Sequence, residues 1–155
     1  MIENAQTSSS AKSQRKSSQS IAYSAAALRW DLQRVRDAWR DSQKRRNRGA
    51  IYVYIAAVFE LVAWWSADGH AKRRAHEACC LSDLEHVSDD DVEPFAAIIR
   101  CTASRKRVDA KTRSKWSRAL RYALAAKSHA EGLQHFVKKN GGINACASQY
   151  AHHRR

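Results

Sequence analysis

The sequence has little that interrupts a helix, with one proline and five glycines in 155 residues. Alanine, leucine, arginine and lysine, which favour helices, are plentiful. The glycine-rich motifs G-x-G-x-x-G and G-x-x-x-x-G-K-[ST] are absent, as are G-x-S-x-G and H-E-x-x-H. No catalytic residue and no cofactor are therefore predicted, and the expected protein is small, soluble and mainly helical.

Cysteine is also scarce, and its four copies are irregularly spaced, which excludes a regular disulfide framework. The nearest approach to a metal motif is the group His76, Cys79, Cys80 and His86. A structural zinc site takes ligand pairs from two places in the chain, and the second pair is missing because Cys101 and Cys146 stand alone. The prediction is reduced thiols buried on helices and no bound metal, with a metal-dependent activity at this group kept as a further hypothesis.

No apolar run is long enough to cross a membrane. The longest is residues 50–65, AIYVYIAAVFELVAWW, which is shorter than the roughly 20 residues that a span requires and carries Glu60. It is interpreted as a buried central helix. The N-terminus lacks the apolar stretch of a secretory signal, so a cytoplasmic protein is expected. A serine-rich, acid-poor N-terminus is also typical of an organelle transit peptide.

The pattern of apolar residues predicts an all-α fold, a single small domain of five or six helices around the buried one. A disordered tail is expected over residues 1–19, because it contains almost nothing apolar. The helical domain covers 20–155, with a first helix from about Ser20 to Arg45. It includes an acidic connector at about 81–93 and a basic C-terminal part, 94–155.

Local signals place several helix ends in the C-terminal part. Pro94 suits a first helical position, and Asp109 suits the N-cap of the following helix. Ser128 and Glu131 have the spacing of a capping box, which predicts a further helix start there.

Acidic residues are nearly missing from the last third of the chain. Residues 94–155 contain 14 Lys and Arg against two Asp and Glu, a net charge of +12, whereas residues 68–93 carry −5. A basic segment of this kind is attracted to nucleic acid, to acidic membranes or to an acidic protein.

The charges segregate on the stretch DAKTRSKWSRALRYALAAK, residues 109–127. At 100° per residue, one arc is apolar and the opposite arc is basic. The apolar arc contains Trp116, Ala119, Leu120, Ala123 and Leu124. The basic arc contains Lys111, Ser114, Lys115, Arg118, Arg121 and Tyr122. Together with the adjoining basic loop, it supplies the predicted nucleic-acid contacts: Arg105, Lys106, Arg107, Lys111, Lys115, Arg118 and Arg121. An ordinary solvated face is the alternative interpretation.

Residues 133–151, LQHFVKKNGGINACASQYA, have the order helix, glycine-containing turn, short helix. This order resembles the first part of a helix-turn-helix. A recognition helix is then expected after residue 151, where only His152-His153-Arg154-Arg155 remains. Either the helix of residues 109–127 plays that part in a different order, or this is a helical hairpin without a reading function, which is the favoured interpretation.

The strings KTRSKWSRALRYA and GGINACA, with RRNRGAIYVYIAAVFELVAWW upstream, resemble a group of small uncharacterised proteins from nitrogen-fixing soil bacteria and related alphaproteobacteria. The resemblance covers about residues 37–151. It implies a bacterial, cytoplasmic protein, and it transfers no activity, cofactor or site residue.

Two hypotheses follow. The first is binding of DNA, in preference to RNA, through phosphate contacts. The second is a protein-interaction module with an acidic partner, for which an exposed apolar patch around Trp39, Trp64 or Trp65 would be the sign. No membrane partner is expected, and the oligomeric state is left open.

Overall fold

A computed structural model describes residues 10–45, 47–82, 84 and 92–154, with side chains from residue 25 onward. Among the described residues, every element of regular secondary structure is a helix, and there is no strand. The seven helices are α1 (Ser10–Lys44), α2 (Ile51–Ala67), α3 (Ala71–Leu81), α4 (Pro94–Thr102), α5 (Ala110–Ala126), α6 (Leu133–Lys139) and α7 (Ile143–His153). The all-α prediction is confirmed, and the predicted number of five or six helices is too low, because the described residues contain seven.

α1 begins at Ser10, ten residues before the predicted start at Ser20, so it takes in residues 10–19 of the expected tail. Residues 1–9, and the disorder expected for them, lie outside the described part of the chain. The C-terminal half of α1 buries Leu28, Leu32 and Val35 along the face that their spacing predicts.

α2 contacts α1, α3, α4, α5 and α6. Six of its side chains are buried: Tyr54, Ile55, Val58, Phe59, Val62 and Trp65. Its remaining face is open, with Val53, Glu60 and Trp64 exposed. Glu60 is therefore at the surface.

Carboxylates cap the N-termini of α4 and α5, and Pro94 and Asp109 have the positions that the sequence predicts. Glu93 accepts hydrogen bonds from the backbone N–H groups of Phe95, at 3.1 Å, and Ala96, at 2.6 Å, and Pro94 is the first residue of α4. Asp109 accepts from the backbone N–H of Thr112 at 2.7 Å. Each carboxylate satisfies N–H groups that the first helical turn leaves without a partner.

The predicted capping box at Ser128 and Glu131 is wrong. α6 begins at Leu133, after Gly132, and has no side-chain cap. Glu131 instead forms an ion pair with Lys139 at 2.8 Å. The spacing of a capping box is short and easily met, and here the carboxylate has a stronger, charged partner near the end of α6.

The acidic connector lies mostly outside the described residues, which exclude 83 and 85–91. At its borders, Val92 is buried with Ala75, Cys79 and Ala97 in a small apolar cluster beside the main core. This cluster joins α3 to α4.

Candidate nucleic-acid interface

α5 has two faces, as predicted, and one of them is in the core. Trp116, Ala119, Leu120 and Ala123 are buried. Leu124, predicted to share that face, is 41% exposed. The core face extends instead to Ser117, whose hydroxyl donates to Glu93 Oε2 at 2.6 Å. α5 is thus joined to the N-terminus of α4 by a part-buried hydrogen bond as well as by apolar packing.

Arg121 is not free on the outer face. Its Nε lies 3.8 Å from Glu93 Oε1, and its guanidinium lies 4.5 Å from the centre of the Tyr150 ring. A carboxylate and an aromatic face both stabilise a guanidinium where it already is. Arg121 therefore connects α4, α5 and α7, and a phosphate would have to compete with these contacts.

Tyr122, placed by the sequence on the basic arc, is half-buried against other rings. Its ring lies 5.7 Å from that of His153 and 5.6 Å from that of Phe136. The expectation that Tyr122 lies on a solvated face is wrong because α7 packs along α5 on this side. A single helical wheel gives no information on a second helix that covers its polar arc.

Lys111, Lys115 and Arg118 form the stripe of α5 that precedes Tyr122. Their spacing of four and three residues, with Tyr122 four residues further, places all four side chains on one side of the helix. Lys111 is exposed, and the other two are partly exposed. No described carboxylate lies within ion-pair distance of these three side chains. We call them the α5 stripe; it runs beside α7.

The loop between α4 and α5 presents Arg105, Lys106 and Arg107, all exposed. Arg107 Nη1 donates to Gln43 Oε1 at 3.3 Å, which brings this loop to the C-terminal end of α1. A surface hollow of about 490 Å³ lies between the two segments and is also lined by Ile51. The loop thus lies beside the C-terminal end of α1 and the start of α2.

A third basic segment reaches the same end of the molecule. Lys138 on α6 has its Nζ 5.7 Å from the centre of the Tyr52 ring, in the first turn of α2. The N-terminal end of α2 contains no acidic residue in its first turn, and the positive end of a helix dipole adds to the potential there. We name this region the basic end. Its exposed cations are Lys44, Arg45, Arg48, Arg105, Lys106, Arg107 and Lys138.

Four members of the basic end, Lys44, Arg45, Arg48 and Lys138, are missing from the predicted site. They are far from residues 105–121 in sequence, and only the packing of α1, α2 and α6 brings them near. The one sequence signal was the run Lys44-Arg45-Arg46, which the sequence alone explains equally well as a basic helix end.

The two carboxylates of residues 94–155 are both engaged elsewhere. Asp109 accepts the N-cap hydrogen bond from Thr112, which lowers the pKa of its carboxyl, and the charges of Lys111 and Lys115 lower this pKa further. Glu131 is paired with Lys139 and lies 3.7 Å from His135. Neither carboxylate is paired with the α5 stripe or with the loop cations.

The candidate metal residues come together only in part. Cys80 Sγ lies 3.9 Å from His76 Nε2, while Cys79 is buried in the small apolar cluster. His86 lies outside the described residues. Within those that are described, no three potential ligands form a group that could hold a metal ion.

No family model, curated protein or solved structure matches this chain. The resemblance to proteins of nitrogen-fixing soil bacteria therefore stays a prediction. Among the described helices, none is both long and apolar enough to cross a membrane.

Proposed function

We propose that the protein binds nucleic acid, with double-stranded DNA as the favoured form, through phosphate contacts. The observation that carries the proposal is the α5 stripe, three cations in a row without a carboxylate partner among the described residues. The loop cations of residues 105–107 extend it toward the basic end. Arg121 contributes less than the sequence predicts, because Glu93 and Tyr150 already hold it.

The choice of duplex over single-stranded RNA rests on the aromatic side chains. Sequence-specific binding of unpaired RNA uses exposed rings on which bases stack. Near the α5 stripe, Trp116 is buried, and Tyr122 and Tyr150 are half-buried and occupied by His153 and Arg121. Cations are thus available on this surface, and stacking platforms are not.

The test is the salt dependence of binding to a short DNA duplex, followed by fluorescence anisotropy. Six phosphate contacts, from residues 105–107 and the α5 stripe, give a slope of log K against log salt of about −5. Replacing Lys115 and Arg118 together by alanine removes two contacts, so the slope should fall in magnitude by about 2.

A matched control is Lys72→Ala with Arg73→Ala, which removes two exposed cations from α3. This pair should leave the slope nearly unchanged. Equal effects of the two double variants would mean that only the total charge matters. A slope near zero in the unmodified protein would end the proposal.

A second candidate is docking of an acidic protein, favoured by exposed aromatic side chains elsewhere. Trp30 is 69% exposed and Trp64 is 55% exposed, whereas Trp39 and Trp65 are buried. Trp64 lines a groove of about 550 Å³ between α1 and α2, beside Arg34 and Leu61. This candidate predicts weak DNA binding and a defined complex that is lost when Trp64 is replaced by serine.

A further inference from the structure

α6 and α7 are joined by a three-residue turn, residues 140–142. Gly141 and Gly142 have φ of 94° and 98°, values that favour glycine. The backbone N–H of Gly142 donates to the carbonyl of Val137 at 2.8 Å, and the Asn140 side-chain amide donates to the carbonyl of Phe136 at 2.8 Å. The end of α6 and the start of α7 are therefore held in one defined arrangement.

The inner side of the pair is small and apolar. Cys146 and Ala147 of α7 are buried, as are Leu133, Phe136 and Val137 of α6. Gly141 lies so close to α7 that an added Cβ would come within 3.0 Å of Ala145 Cβ. With α5 packed against both, these three helices have the order and the short glycine-containing turn of a helix-turn-helix domain.

The helix that follows the turn is therefore α7 itself. Taken alone, α6 and α7 resemble the first two helices of such a domain, and a recognition helix would have to follow residue 151. With α5 counted as the first helix and α6 as the second, α7 is the third and occupies the position of the recognition helix.

The outer side of α7 is polar and contains no Lys, Arg, Asp or Glu. Asn144, Ser148, Gln149 and His152 are exposed, and no described residue forms a hydrogen bond with their side chains. Their positions span one arc of the helix, opposite Cys146 and Ala147. The donors and acceptors of these four side chains therefore do not stabilise the fold through hydrogen bonds among the described residues.

Cations flank this arc on two sides, and carboxylates are missing from it. The α5 stripe runs along α7 on the side of Tyr122 and His153. Lys138 precedes the turn and is exposed. Residues 132–155 contain no Asp or Glu. A polyanion placed across α7 would therefore meet attraction on either side.

Resting on the proposed function, we infer that α7 enters the major groove of duplex DNA and that Asn144 and Gln149 read base edges there. An α-helix fits the B-DNA major groove, and side-chain amides pair with both N6 and N7 of adenine. The α5 stripe and Lys138 then contact phosphates beside the groove. The deep, narrow major groove of RNA duplexes excludes such a helix.

The experiment is selection of preferred duplexes from a random DNA pool by the full chain, followed by affinity measurements on the enriched and a scrambled duplex. We expect an enriched sequence that contains adenines. Asn144→Ala and Gln149→Ala should each reduce the preference for it by roughly 10- to 100-fold, and affinity for the scrambled duplex should stay unchanged.

Two controls separate this inference from the proposed function. Gln33→Ala removes an exposed amide from α1 and should keep the preference. Lys115→Ala with Arg118→Ala should weaken binding to both duplexes alike. Steep salt dependence without an enriched sequence, or an enriched sequence insensitive to Asn144 and Gln149, would overturn the reading role of α7 and leave phosphate binding intact. Tighter binding to an RNA hairpin than to the enriched duplex would overturn it too. Absence of any binding would overturn both.

Discussion

The Tyr54 hydroxyl donates a hydrogen bond to Thr102 Oγ1 across the core, over a distance of 2.8 Å. The direction follows from the second contact of Thr102, whose hydroxyl proton is directed to the carbonyl of Ile98 at 2.7 Å. With that proton in use, Thr102 accepts and Tyr54 donates. Both side chains are buried, and the pair links α2 to α4.

Replacing Thr102 by valine should lower the free energy of unfolding by about 1–3 kcal/mol, because it leaves the buried Tyr54 hydroxyl without a partner. The double variant with Tyr54→Phe should lose less than Thr102→Val alone, since no polar group is then stranded. Urea unfolding of the unmodified protein, the two single variants and the double variant measures these free energies. A double variant that loses the sum of both single effects would contradict the coupling of the two hydroxyls.

The free energy of unfolding should decrease at alkaline pH, and ionisation of Tyr54 should account for part of this decrease. Burial raises the pKa of the Tyr54 hydroxyl above its ordinary value of 10.0, so the folded protein holds this proton more tightly than the unfolded chain. The full contribution is present below pH 10 and is lost as the pH rises above it. Unfolding curves at increasing pH should show a smaller decrease for Tyr54→Phe than for the unmodified protein.

Glu93→Ala should destabilise the fold by about 2–3 kcal/mol. The change removes the N-cap of α4, the hydrogen bond from Ser117 and the partner of Arg121. The matched control is Glu77→Ala on α3, which breaks an exposed pair with Arg73 and should cost less than about 1 kcal/mol. Similar losses for the two variants, measured by thermal unfolding, would show that Glu93 has no special role.

The turn before α7 should tolerate no side chain. Gly142→Ala should cost about 1–2 kcal/mol because of its positive φ, and Gly141→Ala at least as much because of the added contact with Ala145. Gly49 lacks a positive φ, and a Cβ there has ordinary contacts of 3.7 Å or more, so Gly49→Ala should change stability by less than about 1 kcal/mol. Chemical unfolding of the three variants gives the comparison.

Cys101 should be alkylated readily near neutral pH. The hydrogen bond from the Cys79 thiol lowers the pKa of Cys101 to about 7, and Ser82, Arg36 and Arg100 act in the same direction against the effect of burial. The rate of reaction with iodoacetamide at Cys101, followed by peptide mass spectrometry, should rise through pH 7. Arg36→Gln should move this midpoint upward, and an unchanged midpoint would contradict the electrostatic cause.

Sequence signals identified those helix ends that a single residue determines. Pro94 begins α4 and Asp109 caps α5, because a missing N–H and a short carboxylate act within one turn. The start of α1 had no such signal, since residues 10–19 are polar throughout. The spacing of Ser128 and Glu131 gave a false signal for a helix start, because it contains no information on the ion pair between Glu131 and Lys139.

Prediction of the site was limited by contacts between helices distant in sequence. Lys115 and Arg118 lie on the outer side of α5 as expected, while Arg121 and Tyr122 are covered by α7. On the wheel, Tyr122 lies between Lys115 and Arg118, so the wheel alone does not separate covered positions from open ones. Lys138 joins the basic end only because α6 folds back onto the first turn of α2.

α7 has a buried inner side and an exposed outer side, and this division determines which substitutions the fold can tolerate during evolution. Cys146 and Ala147 hold the helix in place, and Asn144, Ser148, Gln149 and His152 contribute no contact to the core. Substitutions at these four positions are thus uncoupled from folding. Descendants of one scaffold can acquire different surface chemistries on α7 while every helix stays where it is.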